Sequence, residues 1–250
     1  MTQQRHQHIL ELLKKQGVVK LQDLVQVLET SESTIRRDLI ELEKHNLLKR
    51  VHGGATLLHA KGTELSIKEK SSKNLQQKRE IAIFAASLVE QGDCLFLDAG
   101  STTLEMIPHL ANKNITVVTN GLTHLEILME QDIRSYILGG MMKPSTRAIV
   151  GSKAVESLLQ YRFDKCFLGT NGIHLELGYT TPDPDEALIK RTALSLSSQA
   201  YVVADHSKFS EVSFSKIAEI HESHLITDHL PEEHRESYRT KTIVIEVENG

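Results

Sequence analysis

Residues 31–55, S-E-S-T-I-R-R-D-L-I-E-L-E-K-H-N-L-L-K-R-V-H-G-G-A, constrain this chain more than any other stretch. Ser31 or Ser33 can cap a helix whose buried face is Ile35, Leu39 and Leu42, spaced i, i+4, i+7 as one apolar stripe. Ser33, Arg36 and Arg37 then share the opposite face, and Ser33, Thr34, Arg36 and Arg37 all fall in the first turn and a half. An α-helix fits the major groove of DNA, where an arginine near its start contacts guanine bidentately or pins a phosphate. After the helix, Leu47, Leu48 and Val51 alternate with Lys49, Arg50 and His52 before Gly53-Gly54 turns the chain. This pattern predicts a small hairpin with cations on its outer side, suited to lie along a phosphate backbone. From pattern alone, a solvated amphipathic helix followed by an ordinary turn competes with that reading.

Upstream, Ile9, Leu12 and Leu13 share one face of a helix expected over residues 3–15, and Val18-Val19 form a short extended piece. Leu21, Leu24, Val25 and Leu28 define a second helix that stops at Thr30. Against this background, S-x-S-T-I-R-R-D-L-x-x-L-E followed by L-x-R-V-H-G-G-A resembles the signature of the DeoR family of bacterial transcription regulators. The resemblance implies a winged helix-turn-helix domain over 3–58, with its helix-turn-helix core at 20–39 and double-stranded operator DNA as partner. Ser33, Thr34, Arg36, Arg37, Lys49, Arg50 and His52 are the implied DNA contacts.

Charge is distributed to match. Residues 1–80 carry 15 Lys and Arg against 10 Asp and Glu, whereas residues 81–250 carry 14 against 23, so a cationic head precedes an anionic body. No apolar run reaches the length of a membrane span and no signal-peptide core follows the N-terminus, so the expected location is the cytoplasm, with no membrane partner. Cys94 and Cys166 fall in the apolar runs C-L-F-L and C-F-L and read as core residues of a reducing compartment rather than as a disulfide or a catalytic thiol. His221 and His224 are spaced i, i+3, but no cysteine or carboxylate cluster completes a ligand set, so neither a metal nor a cofactor is expected.

Periodicity is lost after the hairpin, and residues 59–77 read as a linker, with a helix expected near 69–90. The body, 78–250, alternates short apolar runs with helical patterns. Strands are expected at 94–97, 115–118, 136–138, 163–168, 201–204 and 242–247, and helices near 102–111, 121–130, 152–160 and 184–198. This is an α/β pattern that predicts a largely parallel sheet covered by helices. Polar, glycine-rich segments follow several strands: Asp98-Ala99-Gly100-Ser101-Thr102-Thr103, Thr119-Asn120-Gly121, Gly139-Gly140 and Gly169-Thr170-Asn171-Gly172. The first can hold an anion on loop donors and hydroxyls, or be a simple capped strand-to-helix turn. Arg147, Lys190 and Lys208 can supply positive charge nearby.

Over roughly 78–235 the body resembles the sugar-phosphate sensor domain of the DeoR family, similar in fold to ribose-5-phosphate isomerase, through D-A-G-S-T-T, V-V-T-N, L-G-G, A-I-V-G, G-T-N-G and A-D-H-S-K. The resemblance implies that Gly100, Ser101, Thr102 and Thr103 grip phosphate, that Asn120, Gly139, Gly140 and Lys190 line the sugar, and that Asp98 and Lys208 share the rim. Where the isomerase carries an acidic D-G-A-D-E segment this chain has Gly169-Thr170-Asn171-Gly172, and Lys190 occupies the position of the catalytic glutamate. Proton transfer between sugar carbons needs a carboxylate base, for which Asp183, Asp185 and Glu186 are the nearby alternatives. The expectation is a repressor released by a sugar phosphate rather than an enzyme. A phosphosugar isomerase with a DNA-binding head and a DNA-bound scaffold are the competing readings. Within the family, F-L-D-A-G-S-T-T, G-T-N-G-I-H and G-Y-T-T-P-D-P-D-E resemble fructose-operon repressors of Gram-positive bacteria, implying fructose 1-phosphate as effector, with tagatose 6-phosphate second. Two-fold operators and the family together imply a homodimer or homotetramer.

Overall fold

The computed structural model describes residues 2–16, 18–44, 47–51, 53–56 and 66–247. The chain divides into two compact units, 1–63 and 64–250.

In the first unit, α1 (Thr2–Gln16), β1 (Val18–Lys20), α2 (Leu21–Val27) and α3 (Glu32–Lys44) precede the hairpin strands β2 (Lys49–Val51) and β3 (Gly54–Thr56). Ile9, Leu13, Leu21, Leu24, Ile35, Leu39, Leu42 and Leu48 form its core, which is the apolar stripe read from the sequence closed against its neighbours. Of the two candidate caps, Ser31 acts: its Oγ accepts from Thr34 N at 3.3 Å, and Ser33 lies inside the first turn. The hairpin takes β1 as a third strand in the order β1-β3-β2, all antiparallel. Gly53 turns the chain at φ +77°, and a Cβ on Gly54 would lie 2.2 Å from Val19 O, so that strand contact requires glycine.

The second unit begins with α4 (Ile67–Ser72) and α5 (Leu75–Ser87). Alternation follows through β4 (Cys94–Leu97), α6 (Ser101–Met106), β5 (Thr116–Thr119), α7 (His124–Glu130), β6 (Arg134–Ile137), β7 (Met141–Lys143), β8 (Ala148–Val150), α8 (Ser152–Leu158) and β9 (Phe163–Gly169). The chain ends through β10 (Gly172–His174), β11 (Gly178–Thr181), α9 (Pro184–Ser195), β12 (Ser197–Val203), β13 (Ser215–Ala218), β14 (His224–Thr227), α10 (Arg235–Lys241) and β15 (Val244–Glu246). Seven strands make one fully parallel sheet in the order β15-β14-β12-β9-β4-β5-β6. Both faces are covered, as a parallel sheet requires. Leu95, Leu97 and Phe167 pack with Ile81, Ala85 and Met106 on one side, while Phe96, Cys166 and Leu168 pack with Ala154, Leu158 and Ile189 on the other. The order reverses between β4 and β9: the chain runs outward from β4 through β5 to β6, then returns to β9 and runs the other way. Open parallel sheets bind ligands beside such a switch point.

Several expectations need correction. The single helix near 69–90 is two helices broken at Asn74, which sits in the left-handed region at φ +50°. Cys166 is buried, and burial pushes its thiol up to about 12, but Cys94 is exposed because it is the first residue of β4, where the strand has not yet entered the core. The antiparallel sheet β10-β11-β13, the β7-β8 hairpin and β14 have no counterpart among the strands expected from the sequence.

Candidate functional site

On the first unit, α3 presents Ser33, Arg36 and Arg37 to solvent, with Thr34 partly covered. Arg36 pairs with Glu32 one turn back at 2.6 Å, both side chains more than half exposed, which is a weak surface pair. Arg50 on β2 bonds Glu43 through its backbone N at 2.8 Å and its Nε at 2.6 Å. Arg36 and Arg50 line one depression with Gly53 and Gly54, so helix and hairpin bring their cations together. His52 and the side chain of Lys49 lie outside the described residues. Sequence reading passed over Asp38, a buried carboxylate on α3. Burial opposes its charge, but bonds from Arg5 (Nη2 to Oδ1, 2.9 Å) and His6 (3.1 Å) overcome that penalty and hold it below the usual carboxylate range. This network bolts α1 to the back of α3. The arginine-arginine-aspartate order of the sequence carries the signal, since the aspartate falls on the apolar stripe.

In the second unit, an open cleft enclosing roughly 760 Å³, part of it continuous with solvent, lies beside the switch point. The ends of β4 (Asp98 to Thr102) and β9 (Gly169 to Asn171) flank it, with Ala204, Asp205, Ser207 and Lys208 after β12, Glu186 and Lys190 on α9, and Thr146. The fourth wall is the α4–α5 corner, through Lys70, Lys73, Asn74 and Lys78. Sequence reading assigned Lys70, Lys73 and Asn74 to the linker and Lys78 to the first position of the body, and named none of the four as site residues.

Asp98, Gly100, Ser101, Thr102, Lys190 and Lys208 come together in the lining of this cleft, whereas Thr103, Asn120, Gly139, Gly140 and Arg147 do not line it. Thr103 is fully buried, and its Oγ1 donates to Asp98 O at 2.6 Å and accepts from Gly100 N at 3.1 Å, shaping the loop from inside. Asn120 braces the loop from behind, its Oδ1 accepting from Ala99 N at 2.9 Å. It and Gly139-Gly140 follow β5 and β6, on the side of β4 away from β9. Arg147 is exposed at φ +51° in the β7–β8 turn. Behind the loop, His124 is fully buried. Its Nδ1 lies 2.9 Å from Thr119 Oγ1, whose proton goes to Leu97 O at 2.6 Å, so the imidazole donates.

Charge decides what the cleft can hold. Lys190 is buried and paired with Asp98, whose Oδ2 also accepts from Gly169 N at 3.0 Å. Glu186 is taken by Lys143 at 3.0 Å and Thr146 at 2.6 Å. Asp183 caps α9 and pairs with Lys143 at 2.8 Å. Burial works against its charge, and the Lys143 bond and charge together with the Asp185 and Glu186 backbone N–H donors outweigh it to hold the carboxyl below its ordinary range. Once these pairs are counted, Lys73, Lys78 and Lys208 face one further carboxylate among the described residues that line the cleft, Asp205. Burial pulls the Lys78 ammonium down to about 8. The Ser101 and Thr102 hydroxyls make no hydrogen bond to the described residues and adjoin this cationic wall.

A family model described as the DeoR-like helix-turn-helix domain matches residues 5–61, and the DeoR C terminal sensor domain matches residues 73–229. The chain belongs to the DeoR family. Among relatives of this DeoR protein, the uncharacterized HTH-type transcriptional regulator FruR of Bacillus subtilis (strain 168) is 51% identical over 98% of both chains. The lactose phosphotransferase system repressor of Staphylococcus aureus (strain N315) is 34% identical over 97% of this chain and 98% of its own. Of solved structures, ribose 5-phosphate isomerase A from Methanocaldococcus jannaschii aligns over 55% of each chain at 17% identity and TM-score 0.41. No described helix is long and apolar enough to cross a membrane.

Proposed function

We propose that this DeoR-family regulator is a cytoplasmic, homo-oligomeric repressor of a sugar phosphotransferase operon that leaves its operator when a phosphorylated sugar fills the switch-point cleft. The excess of lysines around that cleft carries the reading, because a phosphomonoester dianion is the ligand that such a wall favours. Ser101, Thr102, Lys78 and Lys208 are assigned to the phosphate, and Asp205, Glu186 and Asn171 to sugar hydroxyls. Fructose 1-phosphate is the first candidate and tagatose 6-phosphate the second, in keeping with the lactose phosphotransferase repressors among the relatives. Domain limits of 3–58, 59–77 and 78–250 remain our working division. A regulator is favoured over an isomerase because Asp98 and Glu186 are both engaged by lysines and Asp205 accepts from Asn74 and Ser207, so none of these three is a free base for proton transfer.

On the first unit, Arg36, Arg37 and Arg50, with Ser33, Thr34, Lys49 and His52, are assigned to the operator. A duplex selected from random sequence by the wild-type protein supplies the probe. Fluorescence anisotropy should show tight binding that fructose 1-phosphate weakens and inorganic phosphate does not match. Arg37→Ala should lower the salt slope by roughly one unit if it meets a phosphate, or cost about 1–3 kcal/mol at one base pair if it reads a base. Unchanged affinity in Arg36→Ala and Arg37→Ala would remove the helix assignment, and indifference to every phosphosugar would remove the effector.

A further inference from the structure

The corner between α4 and α5 is built as a joint between the cleft and the chain that leads to the DNA-binding unit. A helix leaves its last carbonyls without intrahelical partners. At the end of α4, a six-residue helix, two carbonyls are satisfied by a side chain from α5: Lys78 Nζ donates to Lys70 O and, at 2.7 Å, to Lys73 O. Lys78 is 4% exposed and lines the cleft, and its ammonium has no carboxylate within ion-pair distance among the described residues. Between the helices stands Asn74 at φ +50° and ψ 39°, a conformation that side-chain-bearing residues adopt seldom and asparagine best. Its Nδ2 donates 2.8 Å to Asp205 Oδ1 at the end of β12, the opposite wall. The other end of α4 is equally fixed, by the Ser66–Glu69 capping box and by Ile67 N donating to Ser145 O at 2.9 Å. Immediately before Ser66 lie residues 57–65, through which the chain arrives from the first unit.

We propose that the Lys70–Lys78 corner converts phosphosugar binding into operator release: Lys78 shifts its donors from the α4 carbonyls to the ligand's oxygens, and Asn74 is the hinge on which α4 responds. The proposal rests on the reading of the cleft as a phosphosugar site. Two neutral carbonyls are replaceable partners, since a phosphate oxygen brings full opposite charge to the ammonium where a carbonyl brings only a dipole. A ligand that draws Lys78 away uncaps α4, and one that contacts Asp205 competes with the Asn74 latch. Either change alters α4, the first element on the route to the DNA-binding unit, and provides the differential interaction that any ligand-driven shift needs.

The test uses full-length protein and fructose 1-phosphate, with tagatose 6-phosphate as the second probe. Asn74→Gly accepts the left-handed backbone without strain but has no amide to hold Asp205. With each protein saturated by phosphosugar, at a concentration fixed by its own direct calorimetric titration, the phosphosugar-induced loss of operator affinity, of order 5- to 150-fold in wild type, should shrink to less than about threefold in the variant. In wild type, hydrogen exchange of the α4 amides should also change on adding phosphosugar, a readout independent of the variant's folding. Release of Asn74→Gly as complete as wild type, or α4 exchange indifferent to ligand, overturns the joint and leaves the cleft reading standing. Loss of phosphosugar binding in Asn74→Gly would make Asn74 a ligand contact and overturn its role as hinge. Failure of wild type itself to bind either phosphosugar overturns the cleft reading and the joint with it.

Discussion

His124 has no exposed surface, and its imidazole sits behind the Asp98–Thr103 loop with Nε2 unpartnered among the described residues. Burial is the dominant influence and pulls its pKa to about 4 from the ordinary 6.5, so the folded protein keeps the ring neutral while the unfolded chain protonates first. The resulting stabilisation is fully present above about pH 6.5 and is lost as pH falls toward about 4, amounting to roughly 3 kcal/mol at most. Denaturant titrations of wild type between pH 4 and 7.5 should show this decline, and His124→Asn should flatten it. A residue such as this was not legible as a loop support. In the sequence it is one histidine among thirteen, and only the pairing of β4 with β5 brings Thr119 and His124 behind the loop.

Elements show the same division between local and distant causes. The stripe Ile35, Leu39, Leu42 was legible because a helix repeats every three to four residues, so its buried face is written within about two turns. Lys190 was legible as part of the site but not in its role. On α9 it meets Asp98 at the end of β4, and each charge neutralises the other out of water. Lys190→Met should therefore destabilise the second unit by about 3–5 kcal/mol, because it strands a buried carboxylate, whereas Lys190→Met combined with Asp98→Asn should regain most of that loss. Thermal unfolding of both variants checks it. A double variant as unstable as the single one would show that the two side chains act separately. The two-helix start of this unit escaped notice for a plain reason: an asparagine inside a polar, lysine-rich stretch carries no periodic signal of the break at Asn74.

For the whole molecule, binding in one unit and release in the other are linked by reciprocity. If phosphosugar weakens operator binding by some factor, operator must weaken phosphosugar binding by the same factor, typically 5- to 150-fold. A fragment comprising 64–250, which holds its own cores on both faces of the sheet, should bind phosphosugar with the affinity of the full-length protein free of DNA, and operator should leave it unaffected. Parallel calorimetric titrations of fragment and full-length protein, with and without operator, measure both halves of this expectation.

The sequence by itself determined that a helix-turn-helix with a cationic hairpin precedes an α/β body, and that the loop after β4 is a place where polar donors gather. Those are local properties, set by periodicity, turn chemistry and caps. Tertiary structure decided which strand ends meet. From sequence, the ends of β4, β5, β6 and β9 look alike, each an apolar run followed within three residues by a glycine. The strand order places the reversal between β4 and β9, so their loops share a cleft with the end of β12, while Asn120 and Gly139-Gly140 are left outside its lining. It also sets Lys70, Lys73, Asn74 and Lys78 across from Asp205, a meeting of residues 131 positions apart in the case of Asn74, which no window along the chain contains.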